Sequence, residues 1–145
     1  MSYTIGEAAK LLGVAPSTLR YYDKEGLLPS VGRTEGGVRI FQESDMSHLA
    51  TIQCLKNTGM SIQEIRQYID LSLRGDETIE ARLQLIDRRR EAVREQIRQL
   101  QQTLHTLDYK HWFYETARKA GTLEVPTSLP RAQVPEEFRH LRKRD

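Results

Sequence analysis

The chain predicts a mainly α-helical fold, with a winged helix-turn-helix head carrying a short β-hairpin wing and, after it, one long dimerisation helix. Three observations predict it. Two short helix patterns are separated by a glycine turn near the N-terminus, a paired-glycine hairpin pattern follows them, and an apolar stripe then runs unbroken from Ile79 to Tyr114.

Size and composition bound this reading. The 145 residues suffice for one ordinary domain and an appendage, but not for two well-developed cores. With 38% hydrophobic and 29% charged residues, composition gives no ground for disorder, and part of the chain is expected to be elongated. The formal net charge is +2, and residues 1–75 balance 8 Lys/Arg against 8 Asp/Glu. Nucleic-acid binding therefore has to rest on where a few cations, amides and hydroxyls sit. No apolar run approaches the roughly 20 residues that cross a bilayer, and the N-terminus carries a capped amphipathic pattern in place of a signal peptide. The expected compartment is the cytoplasm, with no membrane partner. A single cysteine, Cys54, excludes an intramolecular disulfide and any site in one chain built from two thiolates.

The first helix opens at Thr4-Ile5-Gly6-Glu7, where a hydroxyl and a carboxylate three residues apart can satisfy each other's free backbone donors, and it should run to about Leu12. Gly13-Val14 reads as a left-handed stop, and Pro16 suits the first position of a second helix that ends at Gly26. Short helix, glycine turn, second helix is the helix-turn-helix signature. Within the second helix, Leu19 can pack inward, while Thr18, Arg20, Tyr21 and Tyr22 offer a hydroxyl, a guanidinium and two phenols. Arginine can fork onto guanine or clamp phosphate, and tyrosine can donate to phosphate. The competing reading puts one of the two tyrosines in the core. Arg33 and Arg39 flank Gly36-Gly37 in the hairpin, or wing, which otherwise reads as merely solvated.

Leu49, Ile52 and Leu55 give a third helix its apolar spacing, and Gly59 ends it. Ser61-Ile62-Gln63-Glu64 is a second capping box, opening a fourth helix through Ile65, Ile69 and Leu73 to Gly75. The long helix carries a seam at Ile79, Leu83, Ile86, Arg90, Val93, Ile97, Leu100, Leu104, Leu107, His111 and Tyr114, in alternating steps of four and three. A helix of about 40 residues would span some 60 Å, and no other element of this chain is large enough to cover its stripe, so a second copy is the natural cover. The segment after it holds three of the chain's five prolines and is expected to be irregular. The expected organisation is thus a head over 1–75, a dimerisation helix over 76–120 and a tail over 121–145.

In order and spacing, Tyr3-Thr4-Ile5-Gly6-Glu7, Thr18-Leu19-Arg20-Tyr21-Tyr22-Asp23, Gly26-Leu27-Leu28-Pro29, Gly37-Val38-Arg39-Ile40-Phe41, Asp45 and Gly59-Met60-Ser61-Ile62-Gln63-Glu64-Ile65 resemble the MerR family of bacterial transcriptional regulators. The resemblance covers about residues 1–120 and leaves out the tail. It implies a homodimer joined by an antiparallel coiled coil, bound to double-stranded promoter DNA that it bends and underwinds so that the promoter elements come into register for RNA polymerase. By position it places Ser17, Thr18, Arg20, Tyr21 and Tyr22 on the recognition helix and Arg33 and Arg39 on the wing. Two positions depart from the family pattern: Ala15 replaces a hydroxyl cap, and Ile40-Phe41 replaces a pair containing tyrosine.

The effector is less legible. There is no cysteine beyond position 54 to build a thiolate metal site, and His105 and His111, six apart, do not share a helix face. No metal and no cofactor are implied, and nothing in the chain forms a nucleophile–base constellation or phosphate loop that would point to an enzyme. Cys54 lies about 100–160° around the third helix from Leu49, Ile52 and Leu55, beside the small residues Ser47, Ala50, Thr51 and Thr58. An isolated cysteine is commonly an inert buried hydrophobe. Its place on the third helix, with the segment Arg74-Gly75-Asp76-Glu77-Thr78-Ile79, instead resembles the thiol-dependent NmlR/AdhR-like branch of the family, which answers aldehydes and other electrophiles. Two regulator readings stay open, one with Cys54 as a covalent sensor and one with Cys54 structural and a non-covalent effector or none; an adaptor built on the coiled coil is a third.

Overall fold

The computed structural model describes residues 1–29 and 31–142. The chain divides into two compact units, Met1–Glu91 and Ala92–Asp145. The first holds β1 (Ser2–Thr4), α1 (Ile5–Leu12), α2 (Pro16–Lys24), β2 (Gly32–Arg33), β3 (Arg39–Gln42), α3 (Glu43–Asn57), α4 (Ile62–Leu73) and the start of α5 (Ile79–Ala120, 42 residues).

The local signals act where the sequence puts them. Thr4 Oγ1 accepts the Glu7 N–H while Glu7 accepts the Thr4 N–H at 2.8 Å, closing the capping box of α1. These bonds favour the ionised carboxylate and hold Glu7 below the usual carboxylate range, the backbone donor contributing most. Gly13 is left-handed, and α2 starts on Pro16 without a side-chain cap from Ala15. Of the second expected box, Ser61 supplies its half, accepting from the Glu64 N–H.

The wing forms as a hairpin, with Arg33 opposite Arg39 and Gly32 opposite Ile40. Its turn closes through Gly37 N–H to the Thr34 carbonyl and Thr34 N–H to the Val38 carbonyl, both 2.8 Å, and Gly37 takes the positive φ of 79° that the turn requires. A third strand joins it: β1 pairs antiparallel with β3, giving the sheet order β1-β3-β2. α3 follows β3 directly from Glu43, six residues ahead of the first apolar position its spacing shows, because Asp45, itself buried, accepts the Gln42 N–H at 2.7 Å. The core of this unit gathers Ala8, Leu19, Tyr22, Phe41, Leu49, Ile52, Ile65 and Ile69 from five elements.

The first turns of α5 belong to this unit. Leu85 is buried and Ile86 packs on the core. Buried Thr78 donates its hydroxyl to the carbonyls of Leu71 and Gly75, and Arg82 also donates to Gly75.

In the second unit, the segment expected to be irregular carries α6 (Glu124–Ser128) and two 3₁₀ turns, Arg131–Gln133 and Glu136–Phe138. Phe138 packs within ring centroids of 5.4 Å of His105, 5.8 Å of Tyr109 and 6.2 Å of Trp112, and Val134 is fully buried. Arg139 donates to the carbonyls of Val134 and Ala132, and Arg142 to those of Leu129 and Thr127. Residues 121–142 fold as they do because α5 carries a second, aromatic face, His105-Tyr109-Trp112, off its seam; a reading of the seam alone overlooks it.

Candidate nucleic-acid interface

On α2, Leu19 and Tyr22 turn inward and are each 1% exposed. That leaves Ser17, Arg20, Tyr21 and Lys24 exposed at positions i, i+3, i+4 and i+7, one continuous stripe. Arg20 has no hydrogen-bond or ion-pair partner among the described residues, so its guanidinium is free to meet an external acceptor. Thr18 is half-buried at the edge of the stripe. Lys24 was not among the expected site residues, although its spacing from Ser17 was the signal that could have found it.

Tyr22 corrects the expectation. Its ring is core, and its hydroxyl donates to Gln53 Oε1 at 3.2 Å, so it offers nothing to a phosphate in this arrangement. The neighbouring Tyr21 keeps its phenol outside.

The wing arginines divide as well. Arg39 is largely covered, its guanidinium paired with Asp23 at the end of α2 and donating to the Val31 carbonyl. It ties the base of the wing to α2 and is not a free cation. Arg33 remains more than half exposed; it lies 3.5 Å from the other oxygen of Asp23 and donates to the Gly37 carbonyl. One carboxylate thus fixes the wing against the exposed stripe of α2 through two arginines, a geometry that positions cations at the cost of neutralising one of them.

Cys54 is free and exposed, and so are Ser47, Ala50, Thr51 and Thr58, which share its stripe along α3. The inert, buried reading of this thiol does not hold within one chain. Two residues on, the Lys56 ammonium lies 5.4 Å over the ring of Tyr22. Among the described residues no group of three His, Cys, Asp or Glu could hold a metal ion, and no helix is long and apolar enough to cross a membrane. His105 donates its Nε2–H to the Glu137 carbonyl at 2.9 Å and stacks on His140, while His111 lies exposed on the seam.

The seam itself is bare. Ile79, Leu83, Ile97, Leu100, Leu104, Leu107 and Tyr114 are all at least half exposed, Leu100 reaching 68%. Val93 is half-buried, Arg90 pairs with Asp87 at the surface, and Ile86 alone is shared with the head core.

Comparisons with known proteins agree with this architecture. Residues 3–72 match the family described as MerR HTH family regulatory protein, and residues 46–109 match the one described as MerR, DNA binding. An HTH-type transcriptional regulator of Haemophilus influenzae is 45% identical over 136 residues, 94% of this chain and 98% of that one. The HTH-type transcriptional regulator AdhR of Bacillus subtilis is 39% identical over 82 residues, 57% of this chain and 59% of that one. A crystal structure of HiNmlR, a MerR family regulator lacking the sensor domain, bound to promoter DNA, matches with a TM-score of 0.70 and 44% identity over 93% of this chain and 100% of that chain.

Proposed function

Since the chain belongs to the MerR family of HTH regulatory proteins and is a DNA-binding transcriptional regulator, we propose that it acts as a homodimer on promoter DNA and answers small electrophiles through Cys54. The observation that carries the DNA half is the free, exposed Arg20 beside Ser17, Tyr21 and Lys24, backed by a wing held in place by Asp23. This stripe enters the major groove with Arg20 reading a base edge or orienting on phosphate, and Arg33 takes the backbone alongside. The likeness to HiNmlR, whose structure holds promoter DNA, supports the same use here.

The bare seam from Ile79 to Tyr114 supports the dimer, since an apolar stripe of this length is covered by a matching helix in a stable state. An antiparallel pair presents two heads to a palindromic site. Distorting the spacer so that RNA polymerase can engage both promoter elements costs on the order of 1–6 kcal/mol, which backbone contacts can offset.

Exposure of Cys54 on a face of small residues supports the sensing half. With an aldehyde the sulfur bonds to the carbonyl carbon, the carbon–oxygen double bond becomes single, and the thiol proton ends on the oxygen. The hemithioacetal changes volume and polarity on a surface another helix can approach, and it shifts the dimer only by favouring one conformation over the other. The test is transcription from the protein's own promoter with and without formaldehyde, in wild type and Cys54→Ser. Loss of the response in the serine variant, with operator binding retained, is the expected result. A full response in Cys54→Ser overturns the sensing half and leaves the DNA-binding half standing.

A further inference from the structure

α3 and α5 meet at a contact that neither the DNA-facing stripe nor the seam uses. α3 ends at Asn57, and its capping residue Thr58 donates its N–H to the Cys54 carbonyl at 3.3 Å. The carbonyl of that same Thr58 accepts Arg89 Nε at 2.7 Å. Cys54 and Arg89 are therefore joined through a single residue. Gly59 follows with a φ of 84°, and a Cβ built there would lie 2.6 Å from Arg89 Nη2 and 3.2 Å from its Cζ. Glycine is needed twice over, for its conformation and for the room the guanidinium occupies. The cation sits at the C-terminal end of α3, where unpaired carbonyls and the helix dipole favour positive charge.

We propose that Arg89 is a positioning residue that relays the state of the last turn of α3 to the dimerisation helix, so that a change at Cys54 alters the placement of α5 and with it the distortion of bound DNA. The relay rests on the reading of Cys54 as the sensing residue. A charge-assisted hydrogen bond of 2.7 Å is directional, and displacement of the Thr58 carbonyl displaces the arginine that follows it. Ile86, packed on the head core a turn earlier, carries that displacement into the helix as a whole. Coupling requires that the Arg89–Thr58 bond differ between the two conformations of the dimer, made in one and weakened in the other.

The experiment uses the full chain bound at saturation to its operator, with 2-aminopurine at the centre of the spacer reporting distortion, before and after formaldehyde. Arg89→Ala is expected to fold and to bind the operator as wild type does, but to change the basal 2-aminopurine signal and to reduce its formaldehyde response by about fivefold or more, the lower end of ordinary coupling. Arg89→Lys keeps the charge and most of the stem but lacks the Nε–H; it should move both signals in the same direction and serves if the alanine variant does not fold. Gly59→Ala, which pushes the guanidinium aside, should mimic Arg89→Ala, and the two changes together should do no more than either alone. If the Arg89 variants match wild type in basal distortion, the relay is overturned. Should formaldehyde act equally on Cys54→Ser, the sensing role of Cys54 fails, and the basal signal still decides the role of Arg89.

Discussion

The head and the second half of α5 use the same apolar residues to opposite ends. Leu19, Ile52 and Ile65 in the head are at most 1% exposed, whereas Ile97, Leu100, Leu104 and Leu107 on α5 stand 50–68% exposed. Helical spacing is equally regular in both. The difference lies in what is available to cover each face: the head folds five elements around one core, while α5 covers its His105-Tyr109-Trp112 face with the tail and keeps its seam exposed. A periodic apolar stripe therefore states that burial is required without stating where the cover comes from.

The largest effect that could break this contrast is at the seam. Leu100→Asp with Leu104→Asp removes roughly 1.5–3 kcal/mol of burial per leucine, twice over in a symmetric dimer, and adds charge to an apolar contact. Sedimentation at micromolar concentration should show monomer, with the thermal transition of the head retained; a persistent dimer would place the interface elsewhere. On the other side, Ile52→Ala opens a cavity in a core position that is 0% exposed and should cost about 2–5 kcal/mol. Chemical denaturation should register that loss while the sedimenting species stays dimeric.

A smaller pair of changes sharpens the division within α2. Arg20→Ala should weaken operator binding by about 1–3 kcal/mol and leave stability alone. Tyr22→Phe should do the reverse, costing about 0.5–1.5 kcal/mol through the lost bond to Gln53 with affinity unchanged. Fluorescence anisotropy beside a melting curve separates the two, and weakened binding by Tyr22→Phe would return that tyrosine to the DNA face.

The smallest effect is the pH dependence of the α1 cap. Glu7 has a carboxyl pKa lowered below its ordinary value of 4.5 by the Thr4 donors. A depressed carboxylate contributes stability that is complete above the ordinary value and is lost as pH falls through the lower, folded-state value. The gap in melting temperature between wild type and Glu7→Gln should accordingly be present at neutral pH and close in acid. A gap that persists unchanged below that range would mean the ionised cap contributes nothing.

What could be read from the sequence alone is what one or two turns of chain decide. The Thr4–Glu7 box, the left-handed Gly13, the Pro16 start, the wing turn at Gly36-Gly37 and the seam spacing each depend on neighbours within a few residues, and each signal is carried by the chemistry of those residues. The fold class and the outward-facing Arg20 followed from them. The choices left to tertiary structure join groups far apart in the chain. Tyr22 goes inward because Gln53, 31 residues away, takes its hydroxyl, and Arg39 is held by Asp23 across 16 residues. β1 is added to the wing because Tyr3 meets Phe41, and Phe138 packs on an aromatic face of α5. Two adjacent tyrosines, or two arginines on one hairpin, are chemically alike in sequence; which is buried and which is free depends on partners that only the folded chain brings within reach.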